Sequence, residues 1–178
     1  LRSEEEILND QLSEALPAAE GVFTSWFMVE DLTDVTAVYA ADNGSGYVFA
    51  TGDSYVAADA SGNVLTDTDP AVSAKIADAV SKVIASNVSE IDVSGYELTA
   101  AITKVSVTDS GNYVFELKAS GFGINGDEYY EPSGKPITLR ASATADGRII
   151  ACETLTQHES DGIGSACAEP AFYTQFNG

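Results

Sequence analysis

Alternating apolar and polar positions predict that most of this chain forms β-strands. Three pairs of alternating segments flank short turns rich in Asp, Asn and Gly, which is the pattern of β-hairpins. The predicted hairpins pair residues 35–40 with 47–51, 99–107 with 112–119, and 137–144 with 148–155.

Two segments follow a helical period instead. Ser3 and Glu6 have the spacing of a capping box, and an apolar stripe follows until Pro17. Asp69-Pro70 opens a second stripe that predicts a helix ending near Asn87, because Asp is favoured at the N-cap and Pro at the first helical position. Glu169-Pro170 has the same form and predicts a third helix over 168–176.

The strand pattern occurs twice along the chain. The segment 35–49 matches 102–115 in its Thr, Val, Asp, Gly and Tyr-Val-Phe positions, and each copy precedes an acidic residue followed by proline. An internal duplication explains this match, and chance similarity between alternating strands is the alternative. We therefore predict an α+β fold of antiparallel sheets built from a duplicated hairpin and helix unit, each half packing on a helix. The predicted division is an N-terminal helix over 1–20 and half-repeats over 21–98 and 99–178.

The amino-acid composition limits the classes of function and partner that this protein can have. The 178 residues include 28 acidic and 8 basic side chains, which give a formal charge of −20. This charge excludes nucleic acid as a partner, since phosphates require a basic surface. It serves either solubility or the docking of a basic partner. The apolar fraction of 44% is enough for a packed core.

Membrane and secretion signals are not expected within the sequence. No apolar run approaches the roughly 20 residues that a membrane-spanning helix needs. The opening residues Leu1 to Glu6 have no apolar segment of a signal peptide. We therefore expect any membrane anchor to lie upstream of residue 1.

The segment 157–164 contains the most promising polar chemistry. It follows the third hairpin and holds His158, the chain's only histidine, with two carboxylates and two glycines. Glycine allows backbone N–H groups to approach a ligand closely. The alternative interpretation is an exposed loop histidine beside glycines that only shape a turn.

Four motifs occur in the order seen in a known family. They are Gly-Lys-Pro-Ile at 134–137, Asp-Gly-Arg-Ile at 146–149, His-Glu-Ser-Asp-Gly-Ile-Gly at 158–164 and Phe-Tyr-Thr-Gln-Phe at 172–176. This series resembles the FMN-binding domain of the RnfG/NqrC family, the extracytoplasmic subunits of membrane redox complexes. The chain departs from the family pattern in having Asp161 in place of proline and an insertion over 124–133.

The resemblance implies an FMN-binding electron-transfer module, an electron-transport subunit rather than a stand-alone enzyme, with no catalytic residues of its own. It would be extracytoplasmic and tethered by an upstream anchor, with membrane redox-complex subunits as partners. The residues that match the family's flavin-contacting loop are His158, Glu159, Ser160, Gly162, Ile163 and Gly164.

The family's covalent attachment signature is not intact in this sequence. Residues 91–99 resemble a degraded copy in which Tyr96-Glu97 replaces Ala-Thr, so we do not expect FMN attachment at Thr99. In the second half-repeat the equivalent position would fall beyond Gly178. The alternative function is therefore an extracellular non-catalytic interaction domain of the same fold that has lost covalent flavin.

Cys152 and Cys167 are the only cysteines. Their spacing is not that of a CxxC centre, and no metal-binding motif occurs, so no metal site is predicted. A disulfide between them is plausible in an oxidising compartment, and two unpaired buried thiols are the alternative.

Overall fold

The computed structural model describes residues 1–52, 54–119, 136–159, 161–162 and 164–178. It divides into two compact units, Leu1–Ala85 and Ser86–Gly178. Each unit contains one antiparallel sheet and at least one α-helix, which confirms the α+β class predicted from the sequence.

The first unit has two helices and a four-stranded sheet in the order β1-β2-β3-β4. Its elements are α1 (Glu4–Ala15), a 3₁₀ turn (Pro17–Ala19), β1 (Phe23–Trp26), β2 (Val35–Ala41), β3 (Gly46–Thr51), β4 (Tyr55–Asp59) and α2 (Pro70–Ala85).

Helix α1 covers one face of this sheet. Its predicted capping box is confirmed, because the Ser3 hydroxyl accepts from the Glu6 N–H and the Glu6 carboxylate accepts from the Ser3 N–H. Leu12 and Leu16 are buried against strand residues that include Val48. Burying a leucine side chain contributes about 1.5–3 kcal/mol, so these contacts fix α1 on the sheet.

Helix α2 packs against β4. Its predicted N-cap is confirmed, since the Ala71 N–H donates to the Asp69 carboxylate at 2.8 Å. Ile76 and Val80 on the helix are buried, as is Phe49 on β3. Phe49 points away from the α1 face because neighbouring residues of a strand alternate between faces. The first sheet is thus covered by α1 on one face and α2 on the other.

The second unit has a five-stranded sheet in the order β5-β6-β7-β8-β9. Its strands are β5 (Val88–Glu90), β6 (Ile102–Thr108), β7 (Tyr113–Ala119), β8 (Ile137–Ala143) and β9 (Ile149–Thr156). They are followed by a 3₁₀ turn (Gly164–Ala168), α3 (Pro170–Tyr173) and a second 3₁₀ turn (Thr174–Phe176), with α3 packed against β9.

The helix predicted over 168–176 is shorter than expected. The Thr174 hydroxyl donates to the Pro170 carbonyl, and the Gln175 amide donates to the Phe172 carbonyl. Side chains that bond nearby carbonyls compete with the helical backbone pattern. This competition accounts for the 3₁₀ geometry that replaces the last turn.

The two sheets share a local irregularity. In the first sheet the pairing register shifts between Val35 and Ala37, and in the second it shifts between Ile102 and Lys104. These positions are equivalent in the duplicated sequence pattern. A shared register shift is a more specific likeness than alternation alone, because one residue of slip moves every following side chain to the other face.

Side-chain contacts are repeated as well. The Thr36 hydroxyl donates to the Ala50 carbonyl at 3.3 Å, and the Thr103 hydroxyl donates to the Glu116 carbonyl at 3.1 Å. Each sheet also carries a Tyr–Phe pair two residues apart, with ring centroids 6.2 Å from each other. The β2–β3 and β6–β7 hairpins therefore share these local structural details.

None of the helices in the described part of the chain combines the length and apolar character that a membrane span requires.

Candidate functional site

The candidate loop follows the β8–β9 hairpin, whose turn is held by local hydrogen bonds. The Thr144 N–H donates to the Arg148 carbonyl at 2.8 Å, and the Gly147 N–H donates back to the Thr144 carbonyl at 2.9 Å. Gly147 has φ +92°, a conformation that glycine adopts without strain. The Thr144 hydroxyl bonds Asp146 and is the main cause of a lowered Asp146 pKa. This turn starts the pairing of β9 with β8, and the register then shifts between Ser142 and Ala143 and again between Thr138 and Leu139.

An ion pair lies across the two strands. Arg140 and Glu153 are opposite each other in the register, and the Arg140 Nε donates to the Glu153 Oε1 at 2.8 Å. Their side chains are 36% and 25% exposed, so solvent screens the pair only in part. Charged hydrogen bonds of this geometry hold both side chains in place.

Tyr173 on α3 lies near the same carboxylate. Burial raises the Tyr173 pKa most, and the negative charges of Glu153 and Glu169 raise it further. The phenol therefore stays protonated and neutral around pH 7. The result is a half-buried group of polar side chains where α3 meets β9.

The loop itself is held by local hydrogen bonds. The Glu159 N–H donates to the Gln157 side-chain oxygen at 2.6 Å, and the Gly162 N–H donates to the Ser165 hydroxyl at 3.0 Å. Gly162 has φ +75°, in the left-handed region that favours glycine. One of the amides expected to face a ligand is thus already bonded within the loop.

Gly164 is required by close packing. A Cβ atom at this position would lie 2.6 Å from the Glu159 Cβ and 2.9 Å from its Oε2. Real side chains do not approach so closely, so the loop in this form excludes any larger residue at 164. The two glycines of the loop therefore have different structural roles, one in backbone conformation and one in packing.

The structure brings some of the predicted site residues together. Glu159 and Gly164 are in contact, His158 and Glu159 are half-buried, and Gly162 is exposed. Ser160 and Ile163 lie outside the described residues, as does the insertion at 124–133.

The charges near the loop determine which part of FMN could fit. Glu153, Glu159, Asp161 and Glu169 are acidic, and Arg140 is already paired with Glu153. Carboxylates repel a phosphate, and the Gly162 amide is used by Ser165. The phosphate therefore does not fit against the described loop. An uncharged group meets no such repulsion, and the space around Gly162 is open, since a Cβ there would meet nothing within 4 Å.

Metal binding receives no support from the described residues, in which no three His, Cys, Asp or Glu side chains form a group able to hold an ion.

The two cysteines are free thiols in the structure, so the disulfide stays a prediction. Burial raises the pKa of both thiols, with a further contribution from Glu153 at Cys152 and from Glu159 at Cys167. Neither thiol is activated as a nucleophile at neutral pH.

Sequence reasoning missed the group formed by Arg140, Glu153 and Tyr173. The Asp-Gly turn alone does not give the pairing of residues 140 and 153, because the register shifts by one residue between Ser142 and Ala143. The position of Tyr173 could not be deduced either, since it depends on how α3 packs on β9.

A concave surface lies in the first unit. A groove of about 670 Å³ runs between the end of α1 and the sheet, lined by Leu16, Pro17, Tyr55 and Leu65 with Glu14 among its polar residues. This groove is mostly apolar and has no residue in common with the candidate loop.

Comparison of this chain with protein-family models, with curated proteins and with solved structures finds no match.

Proposed function

We propose that this chain is an FMN-binding electron-transfer module resembling the RnfG subunit of membrane redox complexes. The observation that carries the proposal is the packing of Gly164 on Glu159 within the loop that follows β9. The resemblance in sequence covers this loop, and the contact gives a physical reason for a glycine at the matching position.

The flavin ring, rather than the phosphate, is the part that we assign to the loop. His158 and the backbone of Gly162 and Gly164 would contact the ring. The sequence resemblance also assigns Ser160 and Ile163 to this contact, and both lie outside the described residues. When bound, the flavin supplies the redox chemistry, and the protein supplies position and electrostatics. Glu159 contributes negative charge, which keeps anionic groups away from the loop.

The biological setting follows from the resemblance. The module would lie outside the cytoplasm, tethered by an upstream anchor, and pass electrons between subunits of a membrane complex without an organic substrate of its own.

A titration with two flavins tests this assignment. Purified protein is titrated with FMN and with riboflavin, which lacks the phosphate, while flavin fluorescence is followed. We expect riboflavin to bind at least as tightly as FMN. Binding of FMN more than about tenfold tighter, a difference of roughly 1.4 kcal/mol, would contradict the assignment of the ring to the loop.

A pair of glycine variants supplies the control. Gly162→Ala places a side chain in a left-handed conformation within the loop, and Gly111→Ala does the same in the remote β6–β7 turn, both with open space around the new Cβ. We expect flavin affinity to fall about tenfold in the first variant alone. Equal affinities in the two variants, or no flavin binding by the wild type, would overturn the proposal.

The second candidate function is a non-catalytic extracellular interaction domain. The apolar groove beside α1 and the charge of −20 favour it, because together they suit a basic segment with apolar anchors. The test uses a synthetic peptide of leucine and lysine residues as the probe, since it combines positive charge with apolar side chains. Leu65→Asp in the groove should abolish binding of the peptide. Leu98→Asp in the second unit is the matched control and should leave binding unchanged, because the two leucines are similarly exposed, at 54% and 41%, and only Leu65 lines the groove.

A further inference from the structure

The C-terminal segment of the second unit lies along an edge strand. Among the described strands, β9 is the last in its sheet order, with β8 as its strand partner. On its outer side the Cys152 N–H donates to the Asn177 side-chain oxygen at 2.9 Å, and the Gly178 N–H donates to the Ile150 carbonyl at 3.3 Å. The segment 164–178 thus satisfies backbone groups that an edge strand otherwise exposes.

This segment is held mainly by polar contacts. None of the residues in its two 3₁₀ turns or in α3 is buried. Phe172 and Phe176 form an edge-to-face pair, and both are exposed. Since few apolar contacts anchor the segment, local opening should cost much less free energy than global unfolding.

The contacts of β9 place the two cysteines on the same side of the strand. Cys152 and Thr154 are two residues apart, so their side chains share one face of the sheet. The Thr154 hydroxyl donates to the Cys167 carbonyl at 2.6 Å. The backbone of Cys167 is therefore held beside Thr154, on the face of the sheet that also carries the Cys152 side chain.

We propose that Cys152 and Cys167 form an intramolecular disulfide that fixes residues 164–178 along the edge of β9. The raised pKa values of both thiols suit a structural cross-link rather than a catalytic thiol. The inference does not depend on flavin binding.

The chemistry requires a disulfide oxidant such as oxidised glutathione. One thiolate attacks the glutathione disulfide, releasing one reduced glutathione and leaving a mixed disulfide. The second thiolate then displaces the other glutathione. Overall one S–S bond breaks and one forms, the protein loses two protons and two electrons, and two molecules of reduced glutathione leave.

The cross-link should slow local opening. It closes a loop of about 15 residues, for which the chain-entropy model predicts roughly hundredfold stabilisation of the closed state. This stabilisation should appear as slower opening of residues 164–178, because the disulfide attaches that segment to β9.

The test compares oxidised and reduced protein of one sequence. Folded wild type is incubated with oxidised glutathione, and intact mass, free thiols and a peptide map are recorded. We expect the loss of two hydrogens and a peptide joining Cys152 to Cys167. Stable glutathione adducts or cross-linked dimers as the final product would overturn the proposal.

Amide hydrogen exchange then tests the role of the cross-link. Oxidation should slow exchange in residues 170–178 and at Cys152 by up to about a hundredfold, and leave β3 (Gly46–Thr51) in the first unit unchanged. Cys152→Ser and Cys167→Ser should each take one glutathione and show no slowing. Equal exchange in oxidised and reduced wild type would disprove the proposed role.

Discussion

Gly164 lies so close to Glu159 that a Cβ atom at 164 would be 2.6 Å from the Cβ of Glu159. The contact joins two of the residues that the sequence assigns to the candidate loop. It involves the Glu159 Cβ, near the backbone, so a change of side-chain rotamer cannot relieve it. The shape of the loop therefore depends on glycine at 164.

The first prediction concerns this pair. Gly164→Ala should destabilise the second unit by about 1–3 kcal/mol, the usual cost of overpacking. Glu159→Gly in the same chain removes the opposing Cβ and should restore part of the loss. Urea unfolding of the two single variants and the double variant gives the coupling free energy. Strict additivity would show that the contact is not formed in solution.

The sequence predicted the hairpins and the helix starts because both are local. The Asp-Gly turn at 146–147 and the Asp69-Pro70 cap specify their conformations within a few residues. The β2–β3 and β6–β7 hairpins, which match in sequence, also share a register shift that the strand pattern did not predict.

Non-local features could not be predicted in the same way. Strand β5 (Val88–Glu90) is short and exposed, and it exists because its backbone pairs with β6. In the candidate loop, the sequence indicates glycine but not that Gly164 packs on Glu159. Both features depend on tertiary contacts, which local periodicity does not encode.

The second prediction concerns Tyr173. The charge of Glu153 contributes to its raised pKa, so Glu153→Gln should lower the Tyr173 pKa. The value should stay above that of free tyrosine, because burial is the largest cause and remains. Ultraviolet absorbance of tyrosinate during an alkaline titration measures the change. Glu169→Gln should give a smaller shift in the same direction, and a larger one would contradict the order of causes.

The third prediction concerns two glycines of the first sheet. A Cβ at Gly46 would lie 2.1 Å from the Ala58 carbonyl oxygen, whereas one at Gly44 would meet nothing within 4 Å. Both have positive φ, so Gly44→Ala should cost only the conformational strain of about 1–2 kcal/mol. Gly46→Ala should cost at least about 2 kcal/mol more, because β3 and β4 must separate. Thermal unfolding followed by circular dichroism gives both values, and equal losses would contradict the contact.

The fourth prediction concerns pH and Asp59. Its carboxylate accepts from the Asn63 side chain and from the N–H groups of Ser61 and Asn63, and these bonds lower its pKa in the folded state. A carboxyl with a lowered folded pKa contributes stability above its unfolded pKa of about 3.9. That contribution is lost as the pH falls through the folded value.

Asn63→Ala tests this by removing the largest cause of the shift. The Asp59 pKa, followed by NMR titration, should rise toward its usual value, and the stability difference from wild type should disappear at low pH. A difference that persists in acid would mean that packing, rather than the carboxylate, explains the effect.

The fifth prediction links the candidate loop to the cysteines. Thiolate is the attacking species in disulfide exchange, so a raised thiol pKa slows the reaction at neutral pH. The reaction of either thiol with a soluble disulfide should therefore accelerate about tenfold for each pH unit up to its pKa.

Glu159→Gln removes a negative charge near Cys167 and should move the pH profile of that thiol to lower pH. Glu153→Gln should do the same for Cys152. Rates measured with Cys152→Ser and Cys167→Ser backgrounds separate the two thiols, and a profile of Cys167 that Glu159→Gln leaves in place would show that the loop carboxylate does not face this sulfur.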